Sequence, residues 1–182
     1  MALSNNSLGY LIVEGQDGQF RGASLVVDLR GIPMDFRYTD PIRPTRLERI
    51  LYGSALDVYL REELILQSLI GAAEAKPQLW ICSDGDLLNP LKLTSKSKAV
   101  CLTPSNHAPL EAAGSVEPTG EPEVVFIQAD SVSAPLRATF PSGVRPDEIQ
   151  QTAALLAEAA ATMELLEPFG RIQKALLSLA EE

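Results

Sequence analysis

A mixed α/β (α+β) fold is predicted by three observations. The first 40 residues carry short apolar runs at a period of two, separated by glycine turns. A proline-free stretch from Ser54 to Ala75 then carries apolar residues at helical spacing. Last, short apolar runs return before a tail from Pro146 in which apolar residues recur at steps of three and four. At 182 residues the chain fits one domain, 1–182, and is long enough to need no disulfide or metal staple.

Each element follows in order. Tyr10–Glu14 reads as a strand, and Gly15–Gly18 as a turn, since glycine tolerates positive φ. Gly22 to Leu29 is a second strand and Ile32 to Thr39 a third. The third sets Ile32, Met34, Phe36 and Tyr38 on one face, expected buried, against Pro33, Asp35, Arg37 and Thr39. Three neighbouring strands with tight turns predict an antiparallel meander. Thr45-Arg46-Leu47-Glu48 has capping-box spacing, so a helix should start there and run to about Tyr52. After Gly53 a second, buried central helix should span the fifties to the seventies, with Leu64, Ile65 and Leu69 inside. Leu79–Cys82 and Lys98–Thr103 are short strands with a brief helical connection, a βαβ-like arrangement. Lys92, Lys96 and Lys98 read as a solvated loop. Residues 103–122 hold four prolines and no Phe, Trp or Tyr, and are expected as a long exposed loop. Glu123–Gln128 and Ala134–Phe140 form a hairpin. Residues 146–182 are a C-terminal helical segment that packs on the sheet, with a break or kink at Glu167-Pro168.

Composition narrows function by exclusion. A net charge of −9 repels nucleic acid and anionic membranes at long range, so no general nucleic-acid binding and no membrane partner are expected. Met1 to Gly15 lacks the basic start and long apolar core of a signal peptide. No apolar run approaches 18 residues, so the expected address is the cytoplasm. Cys82 and Cys101 sit in apolar runs and read as buried free thiols. His107 is the sole histidine, which rules out a multi-histidine metal centre within one chain. There is no phosphate-binding glycine loop, dinucleotide fingerprint or nucleophile elbow. No cofactor is expected.

Two places could carry chemistry. The segment Arg30–Tyr52 holds five arginines against three acids, +2 where the other residues sum to −11. Arg37, Arg43, Arg46 and Arg49 are its candidate anion-binding residues. Arginines at a helix N-terminus oppose the macrodipole, and an anion on the free N–H groups would reverse that. The bland reading is that they pair with acids. The second place is Asp84-Gly85-Asp86, at the end of an apolar strand, where two carboxylates could hold Mg²⁺. This triplet resembles, in part, the acidic first motif of haloacid-dehalogenase-type phosphatases. Leu87-Leu88 stands where that motif continues with Gly-Thr. Its bland reading is a turn that caps a short helix.

With no catalytic motif recognised, the leading expectation is a non-enzymatic interaction or accessory protein. It would self-associate into a homo-oligomer, or dock a protein partner, through an apolar seam of Ile149, Ala153, Leu156, Ala160, Met163, Phe169, Ile172, Leu176 and Leu179. The alternative is an anion- or nucleotide-ligand-binding, or phosphoryl-processing, protein that uses the arginine cluster.

Overall fold

A computed structural model describes residues 6–182. Met1–Asn5, the start of the stretch read above as carrying no signal peptide, lie outside the described residues. The strands are β1 (Ser7–Gln16), β2 (Gln19–Asp28), β3 (Pro33–Tyr38), β4 (Leu79–Cys82), β5 (Lys98–Thr103), β6 (Val116–Pro118), β7 (Val124–Ile127) and β8 (Leu136–Thr139). They form one eight-stranded sheet in the order β3-β2-β1-β4-β5-β8-β7-β6. β1, β4 and β5 run parallel, and the remaining pairs are antiparallel. The α+β fold is as expected: an N-terminal meander, a buried central helix, further short strands, and C-terminal helices on the sheet.

Helices cover both faces because the strands are apolar on both. Tyr10, Ile12, Leu25, Val27, Ile81, Val100 and Leu102 face α5 (Pro146–Ala160) and α6 (Glu167–Ala180), whose Ala153, Leu156, Ile172 and Leu176 are buried against them. The Tyr10 hydroxyl donates to the Leu165 carbonyl at 2.6 Å, and its ring meets Phe169 edge-on at 5.1 Å. Leu11, Val13, Val26, Trp80, Cys82 and Cys101 face the other way, toward the central helix and α4 (Leu88–Ser95).

That central helix is continuous over 56–72: α2 (Leu56–Val58), a π-helical stretch Tyr59–Leu66, and α3 (Gln67–Ala72). Ile65 and Leu69 are buried in it and Leu64 is half-buried. It lies so close to β2 that a Cβ on Gly22 would stand 2.5 Å from Ile65 Cγ2, so only glycine fits there.

Three local expectations change. The apolar face of β3 is not buried: Ile32, Met34 and Tyr38 are exposed and only Phe36 packs on the core, because β3 is an edge strand that the helices do not fully cover. Residues 103–122 contain β6, paired with β7, and the preceding loop is pinned where Leu110 N–H donates to the buried Gln128 side chain at 2.7 Å. The C-terminal break falls at 161–166, and Pro168 sits in the first turn of α6, where a missing N–H costs nothing. Among the described residues no helix is long and apolar enough to cross a membrane.

Candidate functional site

The parallel strands set one end of the sheet apart. β1 pairs with β4 only over Leu8–Leu11, so the β1–β2 hairpin runs on beyond the end of β4. Its tip is Asp17-Gly18, both with positive φ, the turn that matches strand twist. The chain returns to this hairpin through a reciprocal backbone pair: Phe20 N–H donates to Ile42 O at 2.8 Å, and Ile42 N–H to Phe20 O at 2.7 Å. α1 (Arg46–Tyr52) follows and is strapped to the tip. Arg49 Nη2 donates to Gly18 O at 2.8 Å, and Arg43 Nε to Gln19 Oε1 at 2.8 Å.

α1 begins with the expected capping box. Glu48 N–H donates to Thr45 Oγ1 and Thr45 N–H to Glu48 Oε1, each at 3.1 Å. The Thr45 N–H, and then its hydroxyl, hold the Glu48 carboxyl below its ordinary pKa. The helix therefore fills its own N-terminus, and the N–H groups where an anion was expected are partly taken. Its orientation is inverted. Leu47, Ile50 and Leu51 are 64%, 67% and 71% exposed, and no α1 residue is buried. Tyr52, also exposed, stacks on Tyr59 with ring centroids 4.8 Å apart.

The arginine segment divides in two. Arg30 pairs with Asp28, and Arg37 with Asp35 and Glu74. Arg21, Arg61, Arg137, Arg145 and Arg171 also meet carboxylates. Among the described residues Arg43, Arg46 and Arg49 form no salt bridge, and all three are exposed. Arg37 thus stands apart from the other three, braced against the loop that follows α3.

Asp84 and Asp86 lie past β4 at the same end. Asp84 Oδ2 pairs with Arg61 Nη2 from the π-helical stretch, and its Oδ1 accepts Asp86 N–H at 2.9 Å to cap a short 3₁₀ turn, Gly85–Leu87. Asp86 is exposed. A metal centre holds its ion between converging ligands. Among the described residues no group of three or more His, Cys, Asp or Glu is placed to hold an ion, so these residues do not fit a metal centre. Cys82 and Cys101 are free, buried and directly paired across β4 and β5. The hydrogen bond with Cys101, and then burial, push the Cys82 thiol far up, which leaves it inert as a nucleophile. His107 is half-buried and stacks on Phe126, with centroids 4.4 Å apart.

Sequence reasoning missed Arg61, the exposed stripe of α1 and the tyrosine stack. The spacing of Leu47, Ile50 and Leu51 was visible, but such a stripe ordinarily signals burial.

The fold places the chain in a class first. Its sheet and helices match those of solved endonuclease V structures. That of Streptomyces avermitilis overlaps 96% of this chain and 83% of its own, with TM-score 0.60 and 15% identity. Endonuclease V of Ciona intestinalis, in complex with a 24mer DNA containing an inosine followed by a ribo-adenosine, overlaps 96% of this chain and 87% of its own, with TM-score 0.54 and 11% identity. That of Bacillus subtilis overlaps 80% and 68%, with TM-score 0.51 and 14% identity. At these identities the likeness is one of fold. No protein-family model and no curated protein matches the sequence.

These matches overturn two expectations. The non-enzymatic interaction or accessory protein, self-associating through its C-terminal helices, gives way to a fold shared with DNA-processing enzymes. The seam itself is used internally: Ala153, Leu156, Ile172 and Leu176 are buried, and Ile149, Ala160, Met163 and Phe169 pack on the same core. Leu179 is half-buried at the tail. The exclusion of nucleic acid falls with the DNA complexes among the matches, and the seam expected to meet a protein partner or a second copy is spent on the chain's own core. Net charge averages over the whole surface, whereas a ligand meets the local field.

Proposed function

We propose that this chain binds nucleic acid, and that it does so where α1 is strapped to the β1–β2 hairpin. The observation that carries the reading is the set of Arg43, Arg46 and Arg49. They lack carboxylate partners among the described residues, in a chain of net charge −9 whose other seven arginines are paired. Arg43 and Arg49 each spend one donor on the hairpin tip, but no carboxylate among the described residues neutralises the three guanidinium charges, and their remaining donors are available to phosphates. Leu47, Ile50 and Leu51 beside them give bases an apolar surface, and Tyr52 a ring face. The overlap with the DNA-bound Ciona endonuclease V supports the same reading. Among the described residues Asp84 is held by Arg61 and no third ligand joins Asp86, so no cutting step is proposed. The proposal takes residues 6–182 as one unit built on a single sheet, with the cytoplasm, where buried thiols stay reduced, as its address.

Fluorescence anisotropy with labelled single-stranded and duplex 24-mers, with and without inosine, tests it. Binding is expected at low salt, with a slope of log K on log salt of about −2 to −3 for three phosphate contacts. Arg46→Ala should flatten that slope by about 1. Absence of binding at low salt, or a slope unchanged by Arg46→Ala, overturns the reading. Denaturing gels of the same mixtures with Mg²⁺ or Mn²⁺ report any strand cleavage.

A further inference from the structure

The opposite end of the parallel strands carries a second basic feature, distinct from α1. Lys98 opens β5 and Leu79 opens β4, and α5 crosses above them. Between α5, α4 and the β8–α5 connection lies a cleft of about 350 Å³, within the range of small-molecule sites. Lys92, Lys96 and Lys98, three of the five lysines in the chain, line it. Among the described residues none of the three forms a salt bridge. The one acid on the wall, Glu148, is engaged by Arg145 at 3.2 Å. Three lysines without a carboxylate partner among the described residues therefore line the cleft, against one acid that Arg145 already engages. Pro141 and Val144 form an apolar wall, and Thr152, 3% exposed, closes the floor with a hydroxyl-bearing side chain.

Lys98 Nζ donates to Gln151 Oε1 of α5 at 2.5 Å, at the border between this cleft and an adjoining recess that Gln78, Leu79 and Gln151 line. Lys96 ends α4 in the left-handed region, φ 56° and ψ 23°, where glycine is the unstrained choice. A lysine there is less stable than a glycine would be.

We propose that this cleft binds a small phosphate-bearing molecule. Its phosphate would sit among Lys92, Lys96 and Lys98, and its apolar part would lie on Pro141 and Val144. The cleft is concave and α5 bounds it on one side, so it suits a compact phosphoester rather than a strand tracked along a groove. The inference does not rest on the nucleic-acid reading, because the two features lie at opposite ends of β4 and β5.

Isothermal titration of the full chain with pyrophosphate, adenosine monophosphate and adenosine tests it. The two phosphates should bind and adenosine should not. Lys92→Gln combined with Lys98→Gln should weaken phosphate binding about tenfold or more. Lys96→Gly separates binding from folding: it should raise Tm by relaxing the backbone while it weakens phosphate binding. Arg46→Ala, at the other end, should leave it unchanged. The proposal is overturned by equal binding of adenosine, by no heat from either phosphate, or by phosphate binding that survives the lysine changes. Loss in Arg46→Ala alone would also overturn it, and would move the phosphate to the α1 surface.

Discussion

α1 and α6 carry similar apolar stripes and turn them in opposite directions. In α6, Ile172 and Leu176 are buried on β1 and β2, and Phe169 packs beside them against the Tyr10 ring. In α1, Leu47, Ile50 and Leu51 face solvent, while Arg49 reaches inward to Gly18. The difference is one of position. α6 lies over β1 and β2, where Phe169, Ile172 and Leu176 meet the core, although Leu177 on its outer face is exposed. α1 lies off the end of the sheet, where the hairpin tip offers carbonyls and an amide instead of methyl groups. A stripe on a helix thus announces that something will cover it, and the surroundings decide whether that is the chain's own core or a ligand.

The contrast can be broken at several points. The largest effect belongs to the sheet-covering helices: Leu156→Ala should cost about 2–5 kcal/mol in urea unfolding, because the cavity it leaves lies in a closed core. Tyr10→Phe comes next. It leaves the Leu165 carbonyl without its donor in a buried site, at about 1–3 kcal/mol in the same measurement. Thr45→Ala should remove about 1 kcal/mol, seen as faster amide exchange confined to α1 rather than as a lower global midpoint. Ile50→Ala should change stability by less than about 0.5 kcal/mol, since most of that side chain already faces solvent. A cost comparable to that of Leu156→Ala would mean that α1 is covered after all.

Acid sharpens the same comparison. The Thr45 N–H stabilises the ionised Glu48, so the folded carboxyl titrates below its ordinary value of 4.5. Its contribution to α1 is complete above that value and is lost as the pH falls through the lowered one. Amide protection in α1 should therefore decline below about pH 4.5, and Glu48→Gln should abolish that dependence. Hydrogen exchange followed by mass spectrometry reads both.

Much of the fold was legible because its signals are short-range. The capping box at Thr45, the glycine turn at the hairpin tip and the strand–helix–strand run from Leu79 to Thr103 each involve residues close in sequence. The candidate sites were legible only as lists of residues. Five arginines read as one cluster. In the fold, Arg30 and Arg37 find Asp28, Asp35 and Glu74, while Arg43, Arg46 and Arg49 find no acid among the described residues. Lys92, Lys96 and Lys98 read as a solvated loop, yet two of them belong to α4 and its cap and all three line a cleft.

By itself, the sequence determined periodicity, caps, turns and the absence of several catalytic motifs, all set by backbone preferences within a few residues. Tertiary structure decided which charges are neutralised, which apolar faces stay open and that Asp84 meets Arg61, 23 positions away. Those outcomes depend on which distant groups arrive within a few ångströms, and Coulomb and packing energies act over that distance whatever the separation along the chain.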